Sequence, residues 1–196
     1  MPRKKSIKKT ALAFAEALHD IRLFLEETAP ALSADRASWI YELAIVRVYR
    51  EFERLVLHAI VGAINNDTST ISSTTGIPFP KHLTHEVCEF IVVGDGYFDF
   101  HGRDGLIKEI KRFVPQGHYL LTAIERRSYK QALERLVVLR NFAVHSSAIS
   151  KRRAKETLGV ARIGSAGSWL KAHGRMQSIL SPMTDLSREL YAKAPF

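Results

Sequence analysis

Asn141 and His145 stand four residues apart, a spacing that stacks two side chains on one face of a helix, and the adjacent Arg140 is long enough to reach the same space. An imidazole moves protons near neutral pH, a guanidinium neutralises a phosphate through paired hydrogen bonds, and an amide orients either partner. These are the groups that phosphodiester transesterification needs when no metal takes part. The alternative is a helix histidine hydrogen-bonded to Asn141 in a purely structural role. The i, i+5 separation of Arg140 and His145 places them about 140° apart around a continuous helix, so one copy aims them poorly. A two-fold pair of such helices brings two arginines and two histidines to one cleft.

Other constellations carry less. His82 and His85 form an i, i+3 pair, but no carboxylate or cysteine follows at a zinc-ligand spacing. The eight histidines therefore read as surface or structural, with no metal and no cofactor expected. Gly94, Gly96, Gly102 and Gly105 lack a following Gly-Lys-Ser/Thr step and a parallel-sheet context, so no phosphate-binding loop is expected. Tyr97, Phe98 and Phe100, set among these glycines, are either stacking platforms for unpaired bases or anchors tucked under a loop, and the second reading is the expectation. Glu51 and Glu53 resemble acid–base groups by residue type alone. Arg47, Arg50 and Arg54 around them point instead to an ion-paired or solvated face.

The elements that must position these residues are helical. Phe14, Leu18, Ile21 and Leu25 recur at helical steps and predict a helix over 7–28, closed by Pro30. Ser33 or Asp35 caps a second helix, with Tyr41, Ile45, Val48, Phe52, Leu55, Ala59 and Ala63 on one face and Asn65-Asn66-Asp67 at its end. It is either one element approaching 50 Å or two helices meeting at a kink. Trp39, Leu43, Val46 and Ile60 make its other face apolar too, which predicts a place near the centre of a bundle. Residues 68–80, rich in Ser, Thr, Gly and Pro, read as a loop. Residues 81–93 fit a helix, although Phe90 to Val93 also fit a short strand; 94–105 read as an aromatic loop or short hairpin; and 106–114 read as a short helix stopped by Pro115. The stretch 119–150 holds the motif, contains no Pro or Gly and supplies Leu133, Leu136, Val137 and Val144 as core candidates. A last helical region from Trp169 uses His173, Met176, Leu180, Met183, Leu186 and Leu190, and bends or breaks at Pro182. The whole reads as all-α: a basic arm over 1–10 that includes Arg3, Lys4, Lys5, Lys8 and Lys9, then a single helical domain over 11–196.

Composition sets the outer limits. Hydrophobic residues make up 46% and charged residues 25% of 196, as in globular chains, which excludes wholesale disorder. Lys and Arg number 29 against 20 Asp and Glu, and the resulting +9 favours a polyanionic partner, nucleic acid before an acidic membrane surface. The single cysteine, Cys88, allows no internal disulfide and no four-thiolate zinc site, so a reducing cytoplasmic setting is expected. Glu16, His19 and Asp20 interrupt the apolar stretch that follows the basic run, which argues against a signal peptide, and no membrane span is expected.

Arg140-Asn141-x-x-x-His145 in an all-helical chain resembles the RNxxxH form of the Rx4-6H motif of the HEPN superfamily. The long helix with Val48, Phe52, Glu53 and Leu55, the insert GDGYFDFHGRDG and the basic stretch after the motif most resemble the RiboL-PSP-HEPN branch, over about residues 11–158. The resemblance implies a helical bundle that dimerises and cuts RNA, with Arg140 and His145 catalytic and Asn141 supporting them. It also implies a place in toxin–antitoxin or phage-defence systems, with an antitoxin or other silencing protein as a further partner. Some members have lost catalysis, so a non-catalytic RNA-binding or protein-interaction module is the alternative. Arg152 is seven residues beyond His145, about 10 Å along the axis of the motif helix and on nearly the same face, so RNA is expected along that helix, on a strip that Lys151, Arg153 and Lys155 widen; a solvated helix end is the other reading.

Overall fold

Two serines open the first half of the chain. Ser6 and Ser33 stand just before helical stripes, and each side chain accepts a backbone N–H of the first turn, from Lys9 and Arg36. The computed structural model describes residues 5–100 and 102–195, so Arg3 and Lys4 of the basic run and His101 of the insert lie outside the described residues. Helix α1 spans Ile7–Thr28, and a 3-10 turn at Ala29–Ala31 carries Pro30. Helix α2 spans Ala34–Asn66 without a break, 33 residues or about 50 Å. The segment expected as an arm is helix from Ile7 onward. Ile7 is buried against Gly62 of α2, and the Lys5 backbone N–H donates to Asn65 Oδ1.

Among the described residues eight more helices follow: α3 Ser69–Thr75, α4 His85–Val93, α5 Gly102–Lys111, α6 Tyr119–Glu125, α7 Arg127–His145, α8 Ala148–Leu158, α9 Ala166–Leu170 and α10 Gln177–Lys193. The chain is all-α, with no strand among the described residues. The long helices α1, α2, α7 and α10 pack in a closed ring, each against the next and α10 back onto α1. Phe14, Leu18, Ile45, Phe52, Leu136, Leu139, Leu186 and Leu190 fill it. Inside, Ser187 Oγ donates to the Ala11 carbonyl at 2.6 Å, which satisfies a buried hydroxyl and pins α10 to α1. Helix α9 lies so close to α2 that a Cβ on Gly167 would stand 1.8 Å from the Ser38 carbonyl oxygen, and only glycine fits there. Helix α4 packs on α2 and holds the reduced Cys88, which is fully buried. Burial pushes its thiol up to about 11. Among the described residues no helix is long and apolar enough to cross a membrane.

Several local expectations need correction. Trp39 and Leu43 are 62% and 69% exposed, because α1 and α9 cover two sides of the first half of α2 and leave this third side open. The stretch 68–80 contains α3, closed by Gly76 at φ 71. The insert follows the loop reading as far as Phe100, but the helix beyond it spans Gly102–Lys111 instead of 106–114. Pro182 does not break α10, which runs through it: proline forfeits the ladder bond to the Ser178 carbonyl, while buried Ile179, Leu180, Met183 and Leu186 hold the helix on both sides. His173 falls before α10 and is exposed, and Val144 is 50% exposed near the end of α7.

Candidate active site

Helix α7 carries the motif. Its Leu133, Leu136, Leu139 and Phe142 are buried, which fixes the helix and leaves Arg140 and Asn141 at its margin, half-buried. The Arg140 guanidinium lies over the Tyr49 ring of α2, 4.6 Å from the centroid, and its Nη1 donates to Asn141 Oδ1 at 2.9 Å. His145 is the last helical residue, exposed and without a hydrogen bond among the described residues. The helix runs unbroken from Arg140 to His145, so the two differ by about 140° around the axis and about 7.5 Å along it. The structure thus joins Arg140 and Asn141 by a hydrogen bond, while His145, one helical turn beyond Asn141, is bonded to neither and stands well around the axis from Arg140.

Ser146 ends the helix in the left-handed region at φ 46, and Ser147 and Ser150 form a reciprocal capping box that starts α8. This corrects the expected basic strip. Lys151, Arg152, Arg153 and Lys155 lie on α8, a separate helix that packs back on α7, so Arg152 does not continue the face of His145. Buried Ala154 and Ser150 take the inner side of α8; Lys151, Arg152 and Arg153 are exposed, Lys155 is half-buried, and Arg152 Nε lies 3.9 Å from Glu156.

Arg140 opens onto a groove of about 500 Å³ that it lines with Arg50, Glu53, Arg54 and Leu57 of α2 and with Tyr97, Phe98 and Asp99 of the insert. Phe100 anchors the insert by packing edge-on to Phe52 and tilted against Tyr49. Arg103 ties its far end to α6 by donating to the carbonyls of Ile124 and Glu125. Glu51 points inward, 3% exposed, and pairs with Arg47 at 2.8 Å and Arg54 at 2.5 Å. Glu53 behaves differently. Burial raises its pKa and Asp99 adds to the rise, while the Arg140 charge and the Tyr49 hydroxyl pull the other way. Burial and Glu53 in turn push the Tyr49 hydroxyl up.

Asp99 thus lines the groove without having been singled out in the sequence, and Glu53, Arg50 and Arg54, read there as an ion-paired or solvated face, line it too. Glu53 follows Tyr49 by one helical turn, and that spacing was visible, but the two carboxylates meet only through the fold. Elsewhere, His85 takes a hydrogen bond from Lys5 Nζ at 2.9 Å and lies 3.6 Å from Glu89, while His82 is exposed. His58, whose ring meets that of His85 edge-on, is held down to about 4 by burial and by Lys5 and Arg54. Among the described residues no three His, Cys, Asp or Glu side chains converge as metal ligands would. A hollow of about 570 Å³ between α1 and α10 is larger than the groove, but it holds none of the motif residues. No protein-family model, no curated protein and no solved structure matches this chain.

Proposed function

We propose that this chain is a metal-independent endoribonuclease of the HEPN type that works as a homodimer. The observation that carries the reading is the setting of Arg140: a guanidinium steadied on Tyr49 at the edge of an open groove, on the same helix as an exposed imidazole. In this mechanism the ribose 2′-oxygen attacks the phosphorus and the bond to the 5′-oxygen breaks. His145 takes the 2′-hydroxyl proton, and the partner's His145 returns one to the leaving oxygen. Arg140 offsets charge growing on the phosphate oxygens, and Asn141 orients Arg140 or the phosphate. The products are a 2′,3′-cyclic phosphate and a 5′-hydroxyl. DNA lacks the nucleophile and is refractory. Action as a toxin or phage-defence effector, restrained by a silencing protein, belongs to the same reading.

The separation of Arg140 from His145 around α7 supports the dimer, since two copies of the helix end complete what one leaves open. It also favours a second reading, a non-catalytic RNA-binding or protein-interaction module, because Arg140 already has the Tyr49 ring and Asn141 as partners. One experiment separates the two: purified protein is incubated with RNA in EDTA, the ends are mapped, and sedimentation gives the mass. The nuclease reading expects cyclic-phosphate ends, loss of cutting in His145→Ala and a dimer of the 22.1 kDa chain. Cutting that needs added metal, equal cutting of DNA, or a fully active monomer overturns it.

A further inference from the structure

Eight consecutive residues of the insert, 94–101, carry four aromatic or imidazole rings, and the fold treats the three described ones, Tyr97, Phe98 and Phe100, unequally. Gly94, at φ 57, turns the chain out of α4, and the Gly96 N–H closes the turn on the Val93 carbonyl at 3.1 Å. Phe98 and Phe100 pack on one another with centroids 6.0 Å apart, and Phe100 inserts between Tyr49 and Phe52, 5% exposed. The role of loop anchor is therefore filled. Tyr97 is 97% exposed, yet it lines the same groove as Arg140. A ring held out by a loop anchored beside it loses little freedom when another flat group covers it.

The groove floor says what that group carries. Against the carboxylates of Glu53 and Asp99 the lining sets three guanidinium groups, those of Arg140, Arg50 and Arg54; Arg50 makes no ion pair among the described residues and Arg54 shares only Glu51, so the wall that Arg50 and Arg54 form keeps an excess of positive charge beside the ring. These two lie one helical turn apart on α2, about 6 Å, comparable to the spacing of successive phosphates in a single strand. A flat apolar face next to a row of guanidinium groups is the pairing that single-stranded nucleic acid meets, with bases on the ring and backbone on the cations.

We propose that Tyr97 is a stacking platform for one unpaired base of an RNA strand whose phosphates run along Arg50 and Arg54. The proposal rests on the ribonuclease reading and names the residues that hold the strand beside that site. Tyr97 acts by positioning and takes no part in proton transfer.

The test is equilibrium binding, at fixed salt, of a single-stranded RNA whose riboses are 2′-O-methylated so that it is not cut. It compares wild type with Tyr97→Ala, Tyr97→Phe and Tyr97→Trp, after melting curves show that all four fold alike. Tyr97→Ala is expected to raise Kd about five- to a hundred-fold, the range of base–aromatic stacking, while Tyr97→Phe stays near wild type. RNA should quench the emission of Tyr97→Trp. A duplex of the same sequence should bind wild type and Tyr97→Ala equally, since its bases are not free to leave the stack. Equal binding of the single strand by wild type and Tyr97→Ala, or equal losses in Tyr97→Ala and Tyr97→Phe, overturns the stacking role and leaves the nuclease reading intact if unmodified RNA is still cut. Competition by adenosine monophosphate at the concentration of the strand overturns it in favour of a free-nucleotide pocket. Wild type that neither binds nor cuts RNA overturns both.

Discussion

Arg135 and Arg140 are five residues apart on α7, and each lies on an aromatic ring. Around Arg135 the ring is Trp169 of α9, which takes Arg135 on one approach, 5.8 Å from the centroid, and Arg175 on another, at 4.8 Å. Arg135 also donates to Ser178 Oγ of α10 at 3.1 Å, so that three helices close over the pair. Around Arg140 the ring is Tyr49, the hydrogen-bond partner is the neighbouring Asn141, and one side is open groove. The same attraction of a cation for a ring serves two ends. Where neighbours from other elements supply the remaining contacts, it joins helices. Where they do not, it holds a charge ready at a surface, and what then separates a strut from a site is the number of elements that close around it.

The largest effects should fall on the open side. With RNA as substrate, His145→Ala should lower the cleavage rate about 10²- to 10⁴-fold and Arg140→Ala about 10²- to 10³-fold, Asn141→Ala less, and Arg135→Ala not at all. A loss in Arg135→Ala equal to that of Arg140→Ala, read in the same gel assay, would break the comparison.

Next in size is the closed side itself. Gly167→Ala forces a methyl group into the Ser38 carbonyl, backbone against backbone, and should cost about 1–3 kcal/mol or more in urea unfolding. RNA binding at the groove should survive wherever the protein is folded. Arg135→Ala removes the ring contact and the bond to Ser178, for about 1–2 kcal/mol and a shift in Trp169 emission. Arg140→Ala should cost less than that, since water replaces one side of its surroundings.

The smallest effect concerns charge in the groove. A carboxyl whose pKa is raised by the fold is neutral in both states at low pH, and its cost to stability appears as pH rises through the folded value. Glu53→Gln should therefore match wild type near pH 4 and melt about 1–3 °C higher at pH 7. Equal melting temperatures across that range would show that Arg140 and Tyr49 already balance the burial of Glu53.

Much of the frame was legible because its signals are local. The stripe from Phe14 to Leu25 and the polar residues that flank it give α1 its observed limits, and Ser33 and Asn66 bound α2. The break after His145 was less so: it occurs at a serine, not a glycine, and its one mark in the sequence is the Ser147 and Ser150 pair. Trp39 and Leu43 read as core because helical spacing records which residues share a face, not whether another helix arrives to cover it. The site divides likewise. Arg140, Asn141 and His145 stood out by type and spacing, whereas Glu53 gains its distinct setting from Asp99, 46 residues away by number, and Tyr97 could not be told from Phe98 and Phe100 until the fold sorted the rings.

The burial of Cys88 makes the protein its own stopwatch. With one cysteine in the sequence, on a helix packed against α2 and its thiol pushed up by burial, a thiol reagent added to native protein reacts only when Cys88 is uncovered, by α4 leaving the bundle or by wider unfolding. The ratio of that labelling rate to the rate for an unfolded thiol gives the fraction of time Cys88 spends uncovered, without any probe being introduced. Because α4 leads directly into the loop that carries Tyr97, the same clock run with and without RNA reads whether a ligand on the insert is felt at the helix that launches it.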